Sequence, residues 1–569
     1  MRTYLHIKLD DQTIETKDLS GEEIVLAGRH FIAKTLLEEG VATVDPLSPD
    51  NPLIFSAGPF AGTNMSNGNR LSVGCKSPLT GGIKESNSGG TFALALGHQA
   101  KAGFTLYGAS ENWVVIFMGK DGSIRFDDAT PYMGKGNFDT AAQLHETYGK
   151  KVSLAICGPV GEYQGLLSAI AISDRENRPV RFAGRGGVGA VMGSKKVKAI
   201  VVEMDKMPEL HERKKTIGTV REYAYKLENE GAVQAMKKLG TAMVADLTNY
   251  TGGLPTRNFT SGQFVDIENG TLELGGQHIY ERNTERGGDP SHACMPGCVI
   301  KCSNVYVDKN GEEMVSPLEY ETLCLLGSNC GVGDPDEVAY LNNIANDLGI
   351  DTIEVGATIG VLMDAGKGEF GDIDFMARCL EDIRQGNENG RLLAQGTARV
   401  GEHYGFKRVP VIKKQALSAY DPRVVEVTGI SMMVTAQGAD HTVGNLPAFE
   451  CADKTIEELA KESFDIQVHS AVADSLGLCV FGRAVTNTHN WLIAEGINNA
   501  LGTDIDDAFI RNIGITTLRM EEQFNKAAGF GEIDDELPDF FHEEALFPTN
   551  RKARLQAKEV KQYITDMIG

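Results

Sequence analysis

The chain has 569 residues, 41% of them hydrophobic and 23% charged, with a formal net charge of −23. That length exceeds a single hydrophobic core and predicts roughly three to four domains, while the acidic balance excludes a nucleic-acid partner, which would need a basic face. No apolar run reaches the about 18 residues of a membrane span, and ten cysteines in a chain this long suggest metal or redox work, not a disulfide scaffold.

The first nine residues, Met1-Arg-Thr-Tyr-Leu-His-Ile-Lys-Leu9, alternate as a strand does and lack a signal-peptide core, so a cytoplasmic protein is expected. Arg70 and Lys76-Ser-Pro-Leu-Thr80 lead into the glycine-rich stretch Gly81-Gly82-Ile-Lys-Glu85-Ser-Asn87-Ser-Gly89-Gly90. Short β-like runs follow at Trp113-Val-Val-Ile-Phe117 and Lys198-Ala-Ile-Val-Val202, separated by glycine-rich turns. Between them stands Arg181-Phe182-Ala-Gly184-Arg185-Gly186-Gly187-Val-Gly189-Ala-Val-Met-Gly-Ser-Lys195. Glycines let backbone amides approach an anion closely, and flanking arginines grip phosphate with two parallel hydrogen bonds. Gly184-x-Gly186-x-x-Gly189 lacks the preceding βα unit and the distal acid of a dinucleotide site, which leaves a phosphate-bearing cofactor of another kind.

His292-Ala-Cys294-Met-Pro-Gly-Cys298-Val-Ile-Lys-Cys302 brings three thiolates together locally and needs a fourth ligand from elsewhere. Such a set holds zinc or an iron–sulfur cluster. Structural zinc sites favour a second cysteine pair, and none follows here. Cys324 and Cys330 read as packing residues on the helix after Glu319-Tyr320-Glu321, and the isolated Cys75, Cys157, Cys379 and Cys451 as buried fillers.

The later chain is helical in pattern. Asp334-Pro-Asp-Glu337 predicts a capped helix start, Val338, Leu341, Ala345 and Leu348 follow at helical spacing, and Gly349 ends the run. A second helix is predicted over residues 455–476. Asn346-Asp-Leu-Gly349-Ile350-Asp351 and Asp474-Ser-Leu-Gly477-Leu478-Cys479 share one pattern, a glycine turn at a helix end where backbone groups are free to meet a ligand. No repeat of solenoid length is evident. The domain boundaries are drawn at residues 1–207, 208–411 and 412–569.

Taken in order, Lys76 to Gly81, Glu85 to Gly90, Ala183 to Lys195, the three-cysteine cluster, Glu319-Tyr320-Glu321, Gly438-Ala-Asp-His441 and Asp474-x-x-Gly-Leu-Cys479 resemble the aldehyde:ferredoxin oxidoreductase family over nearly the whole chain. The resemblance implies an α+β fold, with an N-terminal two-sheet β domain that supports the cofactor and two mainly helical domains that cover it. It implies tungsten, rarely molybdenum, held by the dithiolenes of two pterins, with a magnesium ion linking their phosphates. Arg70, Asn87, Gly89, Arg181, Gly184 and Arg185 would contact the cofactor, and Asn87 and the backbone at Phe182 would serve the magnesium. The turns from Asn346 through Ile350 to Asp351, and from Asp474 to Leu478, would bind the pterins. Cys294, Cys298, Cys302 and Cys479 would ligate one [4Fe–4S] cluster, and Tyr320, Glu321 and His441 would line the substrate site, with the carboxylate and imidazole as acid–base groups and Tyr320 orienting the substrate carbonyl.

The implied reaction is oxidation of an aldehyde to a carboxylic acid, with electrons leaving to ferredoxin or an iron–sulfur subunit. Two other readings stand beside it: a low-potential reductase of the benzoyl-coenzyme A reductase type, favoured if Cys324 approaches the metal, and an electron-transfer or structural subunit without catalysis. This chain departs from the family pattern in its C-x₃-C-x₃-C spacing, where C-x₂-C-x₃-C is familiar, in Asn346 for aspartate, and in Gln437 for arginine. It also lacks the Glu-x-x-His motif of metal-bridged family dimers, so an oligomer would be built otherwise.

Overall fold

The computed structural model of the chain describes residues 1–266 and 268–568. Residues 2–203 form two six-stranded sheets. The first contains β1 (Arg2–Lys8), β2 (Thr13–Leu19), β3 (Leu53–Ala57), β4 (Leu71–Lys76), β5 (Ile83–Ser88) and β6 (Lys101–Tyr107), in the order β2-β1-β6-β3-β4-β5. The second contains β7 (Val114–Met118), β8 (Ile124–Asp128), β9 (Val152–Cys157), β10 (Ile170–Ile172), β11 (Arg181–Ala183) and β12 (Val197–Glu203), in the order β8-β7-β12-β9-β10-β11.

The two orders are the same plan repeated. In each, a first hairpin is joined by one parallel pairing, β1 with β6 and β7 with β12, and the remaining pairs are antiparallel. Each sheet also sends its last hairpin through a glycine-rich loop into a short helix, Phe92–His98 in one and Val188–Ser194 in the other. Phe55, Val73 and Phe104 from the first sheet share one apolar core with Ile116, Ile170 and Ile200 from the second and with both helices. This duplication escapes a sequence reading because it preserves backbone topology, while the side chains at equivalent positions differ.

A small sheet of β13 (Asp289–His292), β14 (Ser303–Val307) and β15 (Glu313–Val315) carries the cysteine segment between its first two strands. From Tyr320 onward the chain is mostly helical. The helix Pro335–Leu348 starts as expected: Asp334 accepts the Asp336 N–H, and Gly349 ends the helix at φ 69°. Such a cap contributes about 1 kcal/mol. The helix Ile456–Ser475 opens with a reciprocal capping box between Thr455 and Glu458. It packs against the helix Asp507–Ala527, which in turn packs against the helix Gly28–Glu38 of the β region. There Arg29, fully buried, holds Glu521 through two bonds of 2.7 and 2.8 Å and reaches Asp474 at 3.2 Å. One guanidinium thereby ties the β base to the helical cover at the second glycine turn.

Candidate functional site

The two glycine turns are structural twins. The Ile350 N–H donates to Ala345 O and the Leu478 N–H to Ala473 O, the same closing bond of a helix C-terminus, with Gly349 and Gly477 both left-handed. Each twin rests on its own sheet. The Ala169 N–H, just before β10, donates to Gly349 O at 2.8 Å, and the Arg70 N–H, just before β4, donates to Gly477 O at 3.1 Å. A glycine follows β3 and another follows β9, and each lets the chain approach closely: a Cβ on Gly58 would stand 2.1 Å from Leu476 O, and one on Gly158 would stand 2.4 Å from Leu348 O. The echo in the sequence thus corresponds to two equivalent seats on a duplicated base.

Polar side chains from both sheets converge on these seats. Arg70 donates to Asn87 Oδ1 at 2.6 Å, and Asn87 Nδ2 donates to Asp474 Oδ1 at 3.2 Å. On the other side, Arg185 donates to Asp351 Oδ2 at 3.3 Å and to the carbonyls of Ala439 and Ala416, both at 2.6 Å. Asp351 also caps the next helix through the Ile353 N–H. Burial raises Asp351 and Asp474 each to about 6, against the pull of Arg185 and Arg29 respectively. Asn346 is buried, and its carbonyl accepts from Asn137 Nδ2 at 2.8 Å. Gln437, the departure from arginine, bridges Glu521 Oε1 and the Glu85 N–H, so it joins the same network that Arg29 anchors.

Cys294, Cys298 and Cys302 lie in one apolar cluster, and Cys479 comes close enough to act on all three thiols. Burial, and after it Cys298 and Cys479, push the Cys294 thiol up to about 12. Cys302 lies well above its usual range through burial and then the other three sulfurs. Between Cys294 and Cys298 the chain turns at Gly297, at φ 80°. Gly89 leaves room for the group: a Cβ there would stand 3.1 Å from Cys294 Sγ. Arg70 Nη1 lies 4.0 Å from Cys479 Sγ, so one arginine touches both the cysteine site and the second turn's network. Arg181 bonds Ser303 Oγ at 2.9 Å and helps offset the rise of the Cys294 thiol.

Sequence reasoning missed Asn67. Its N–H faces Cys298 Sγ, its carbonyl accepts the Cys479 N–H at 2.8 Å, and its side chain bonds Cys479 O and the Tyr223 hydroxyl. The available signal was Asn67-Gly68, a turn dipeptide, with Asn67 in the left-handed region at φ 47°.

Glu321 is the middle residue of a short helix at Tyr320–Thr322, and His441 begins a one-turn helix at His441–Val443. Their side chains meet, with His441 Nε2 3.3 Å from Glu321 Oε1. Glu321 Oε2 accepts the Ala419 N–H at 2.9 Å, and His441 Nδ1 bonds Ser418 Oγ at 2.9 Å. Burial raises the Glu321 carboxyl above its ordinary range, with His441 and Arg185 opposing. Tyr320 lies beside the pair, but its hydroxyl donates to Ala419 O and meets Thr248 Oγ1 at 3.1 Å. It therefore fixes the backbone whose N–H holds Glu321. The ring next to His441 is Tyr420, at 5.6 Å between centroids, which sequence reasoning did not single out. Cys324 and Cys330 point into the core: Cys324 Sγ donates to Pro255 O, and Cys330 Sγ donates to Leu325 O within a π-helical turn at Leu323–Gly327.

The donor set fits a large bound group. Glu85 Oε1 and Arg181 Nε are buried without a hydrogen-bond partner. Each such atom costs about 1–3 kcal/mol, the mark of a donor or acceptor kept for something else. A Cβ on Gly184 would meet only open space. Four converging thiols suit an iron–sulfur cluster, which binds thiolates and would release their protons on assembly. Asp174, Glu176 and His292 also lie close together, but Arg178 already pairs with both acids, which disfavours a cation there.

Among the described residues no helix is long and apolar enough to cross a membrane. Residues 4–204 match the N-terminal domain of aldehyde ferredoxin oxidoreductase and residues 219–567 match its domains 2 and 3. The chain is 32% identical to the tungsten-containing aldehyde ferredoxin oxidoreductase of Pyrococcus furiosus, covering 95% of this chain and 91% of that protein, and equally similar to that of Pyrococcus horikoshii. It is 26% identical to the WOR-like subunit of an aliphatic sulfonate oxidoreductase from Pyrococcus furiosus, over 95% of this chain and 89% of that subunit. In fold it resembles a chain of the active-site complex BamBC of benzoyl coenzyme A reductase, with a TM-score of 0.82 at 19% identity, covering 100% of this chain and 94% of the other. With its α+β architecture of two sheets under a helical cover and a full-length match to both parts of the family, the chain is an oxidoreductase belonging to the aldehyde ferredoxin oxidoreductase family, whose tungsten-containing members are its relatives.

Proposed function

We propose that the protein oxidises an aldehyde to the corresponding carboxylic acid and passes the electrons through a [4Fe–4S] cluster to a ferredoxin-type acceptor. The observation that carries the reading is the Glu321–His441 pair, in which a buried carboxylate oxygen faces the imidazole at 3.3 Å and has no other partner. Seated on the twin turns, a tungsten bis-pterin would supply the two-electron oxidation at the aldehyde carbon.

The chain's own residues do the rest. Ala419 and Ser418 lock the far sides of Glu321 and His441, so the near sides, Oε1 and Nε2, face each other and are free to hold or exchange the proton that oxidation must remove. Burial keeps the Glu321 carboxyl easier to protonate than a surface acid, which suits a group that must both take and return a proton. With the Tyr320 hydroxyl committed to Ala419, Tyr420 is the better candidate to orient the substrate carbonyl. Arg70, Asn87, Arg181 and Arg185 would hold the pterin phosphates, and Gly89 and Gly184 would admit their bulk. Asn87 and Phe182 occupy equivalent positions, paired with Ser72 in one sheet and Ala171 in the other, which supports their backbone as the two sides of a magnesium site. The bonds of Cys324 to Pro255 and Ser328 support its reading as core packing, and with it oxidation over ring reduction.

Anaerobically purified protein is expected to contain roughly one tungsten and four irons per chain and to oxidise members of an aldehyde panel with an artificial one-electron acceptor. Zinc as the sole stoichiometric metal, or inertness toward every aldehyde with tungsten and iron in place, would overturn the proposal.

A further inference from the structure

Beside Cys302 the surface of this strongly acidic protein carries three lysines. Cys302 is half-buried and is preceded by Lys301, which is exposed. Lys301 sits at φ 49°, a conformation that turns its N–H toward Cys298 Sγ while its side chain stays in solvent. The helix Gly231–Leu239 ends against the same spot, and a Cβ on the next residue, Gly240, would stand 3.1 Å from Cys302 O. Its inner residues Val233 and Met236 pack among Cys298, Cys302 and their neighbours. The last turn of that helix carries Lys237, half-buried, and Lys238, exposed.

These three lysines form no ion pair with any described residue; Lys238 alone is steadied, with Nζ 5.1 Å over the Tyr280 ring. Neither residues 231–239 nor residues 293–304 contain an aspartate or glutamate, in a chain with 78 acids against 55 lysines and arginines. The other side of the cysteine loop is thinly covered, by the exposed Gly297 and Asn64.

We infer that Lys237, Lys238 and Lys301 form the docking face for an acidic, one-electron iron–sulfur protein, which exchanges electrons with the cysteine-bound cluster beside Cys302. The inference rests on the proposed function and adds the partner's charge and landing site. Oxidation of an aldehyde with water yields the acid, two protons and two electrons, so two molecules of oxidised carrier must dock in turn and each leave with one electron. The chain's net negative charge repels an acidic carrier, and a local basic face would steer it to an approach beside Cys302.

The test uses holoenzyme and an acidic ferredoxin as the probe. Binding and association rate are followed by surface interferometry at low and at high salt, for the parent, for the K237E/K238E/K301E variant, and for a control K34E/K461E, whose exposed lysines lie outside the patch and pair with Glu38 and Asp465 on their own helices. The patch variant should associate about ten- to a hundredfold more slowly at low salt, and the difference should fade at high salt. Its iron–sulfur spectrum and its turnover with a small uncharged acceptor should match the parent's. Equal binding by parent and patch variant, or equal losses in patch and control variants, would overturn the docking face while leaving the cluster assignment intact. Protein prepared anaerobically without any iron–sulfur spectrum would overturn the proposed function first, and the docking face with it.

Discussion

Replacing Glu321 by glutamine removes the proton-exchanging group while preserving its contacts. The Ala419 N–H, 2.9 Å from Glu321 Oε2, keeps an acceptor in the amide oxygen, and the amide nitrogen can face His441 Nε2 across the present 3.3 Å. If Glu321 and His441 act as the acid–base pair, turnover should fall by about 10²–10⁴, a barrier increase of about 2.7–5.4 kcal/mol at about 1.36 kcal/mol per tenfold. Stability should move the other way or not at all. The folded carboxyl titrates above its unfolded value of 4.5 because burial penalises its charge, so its contribution is complete below that value and is lost as pH rises through the folded value. Near neutral pH the glutamine variant should therefore melt no lower than the parent. The assay is kcat and kcat/KM for aldehyde oxidation with an artificial acceptor across pH, with tungsten and iron quantified in the same samples. The acidic limb of the parent's pH profile should disappear in the variant. Glu319 is the control: it is the extended residue before the helix, and the carboxylate that faces His441 belongs to Glu321, so E319Q should stay near parental turnover. Near-normal turnover of E321Q would refute the role of the carboxylate, and a large loss accompanied by lost metal or a lowered melting temperature would show that its role is structural.

Three further outcomes are expected. G184A places a methyl group in open space and should leave the melting temperature of metal-free protein unchanged while lowering tungsten and pterin content of protein produced with cofactor; full loading would show that the cofactor does not pass Gly184. C479S should alter the cluster's electron paramagnetic resonance and slow electron transfer without unfolding the β sheets, and an unchanged spectrum would mean a different fourth ligand. His30 is buried against Thr517 Oγ1 at 3.0 Å, and burial lowers it from 6.5 to about 4. The unfolded chain therefore takes up a proton that the folded chain refuses, and stability should fall by about 3 kcal/mol between pH 6.5 and pH 4; H30N should flatten that slope in chemical denaturation.

Local signals in the sequence carried over where the interaction is itself local. The Asp334 cap, the Gly349 stop and the Thr455 start all form as expected, because each depends on backbone groups within a turn of the residue concerned. The triplet Cys294, Cys298 and Cys302 was legible for the same reason, and the pattern shared by Asn346–Asp351 and Asp474–Cys479 proved to be one turn geometry used twice. Tyr320 shows the limit. Its place in the motif suggested a hydroxyl aimed at substrate, yet a residue 99 positions away, Ala419, claims that hydroxyl, and Tyr420 stands by His441 instead.

The chain's residues alone determined its family, its helix ends, its α+β class and the identity of three clustered thiols, since composition, spacing and short-range hydrogen bonding decide these. Tertiary structure alone decided which distant groups meet. It paired Glu321 with His441, brought Cys479 to the other cysteines through Asn67, seated each glycine turn on its own copy of a duplicated sheet, and brought the helix that carries Lys237 and Lys238 against Cys302. Those contacts join segments up to hundreds of residues apart. Such contacts depend on how sheets and helices pack as whole bodies, and that packing leaves no periodic or local mark in the order of the amino acids.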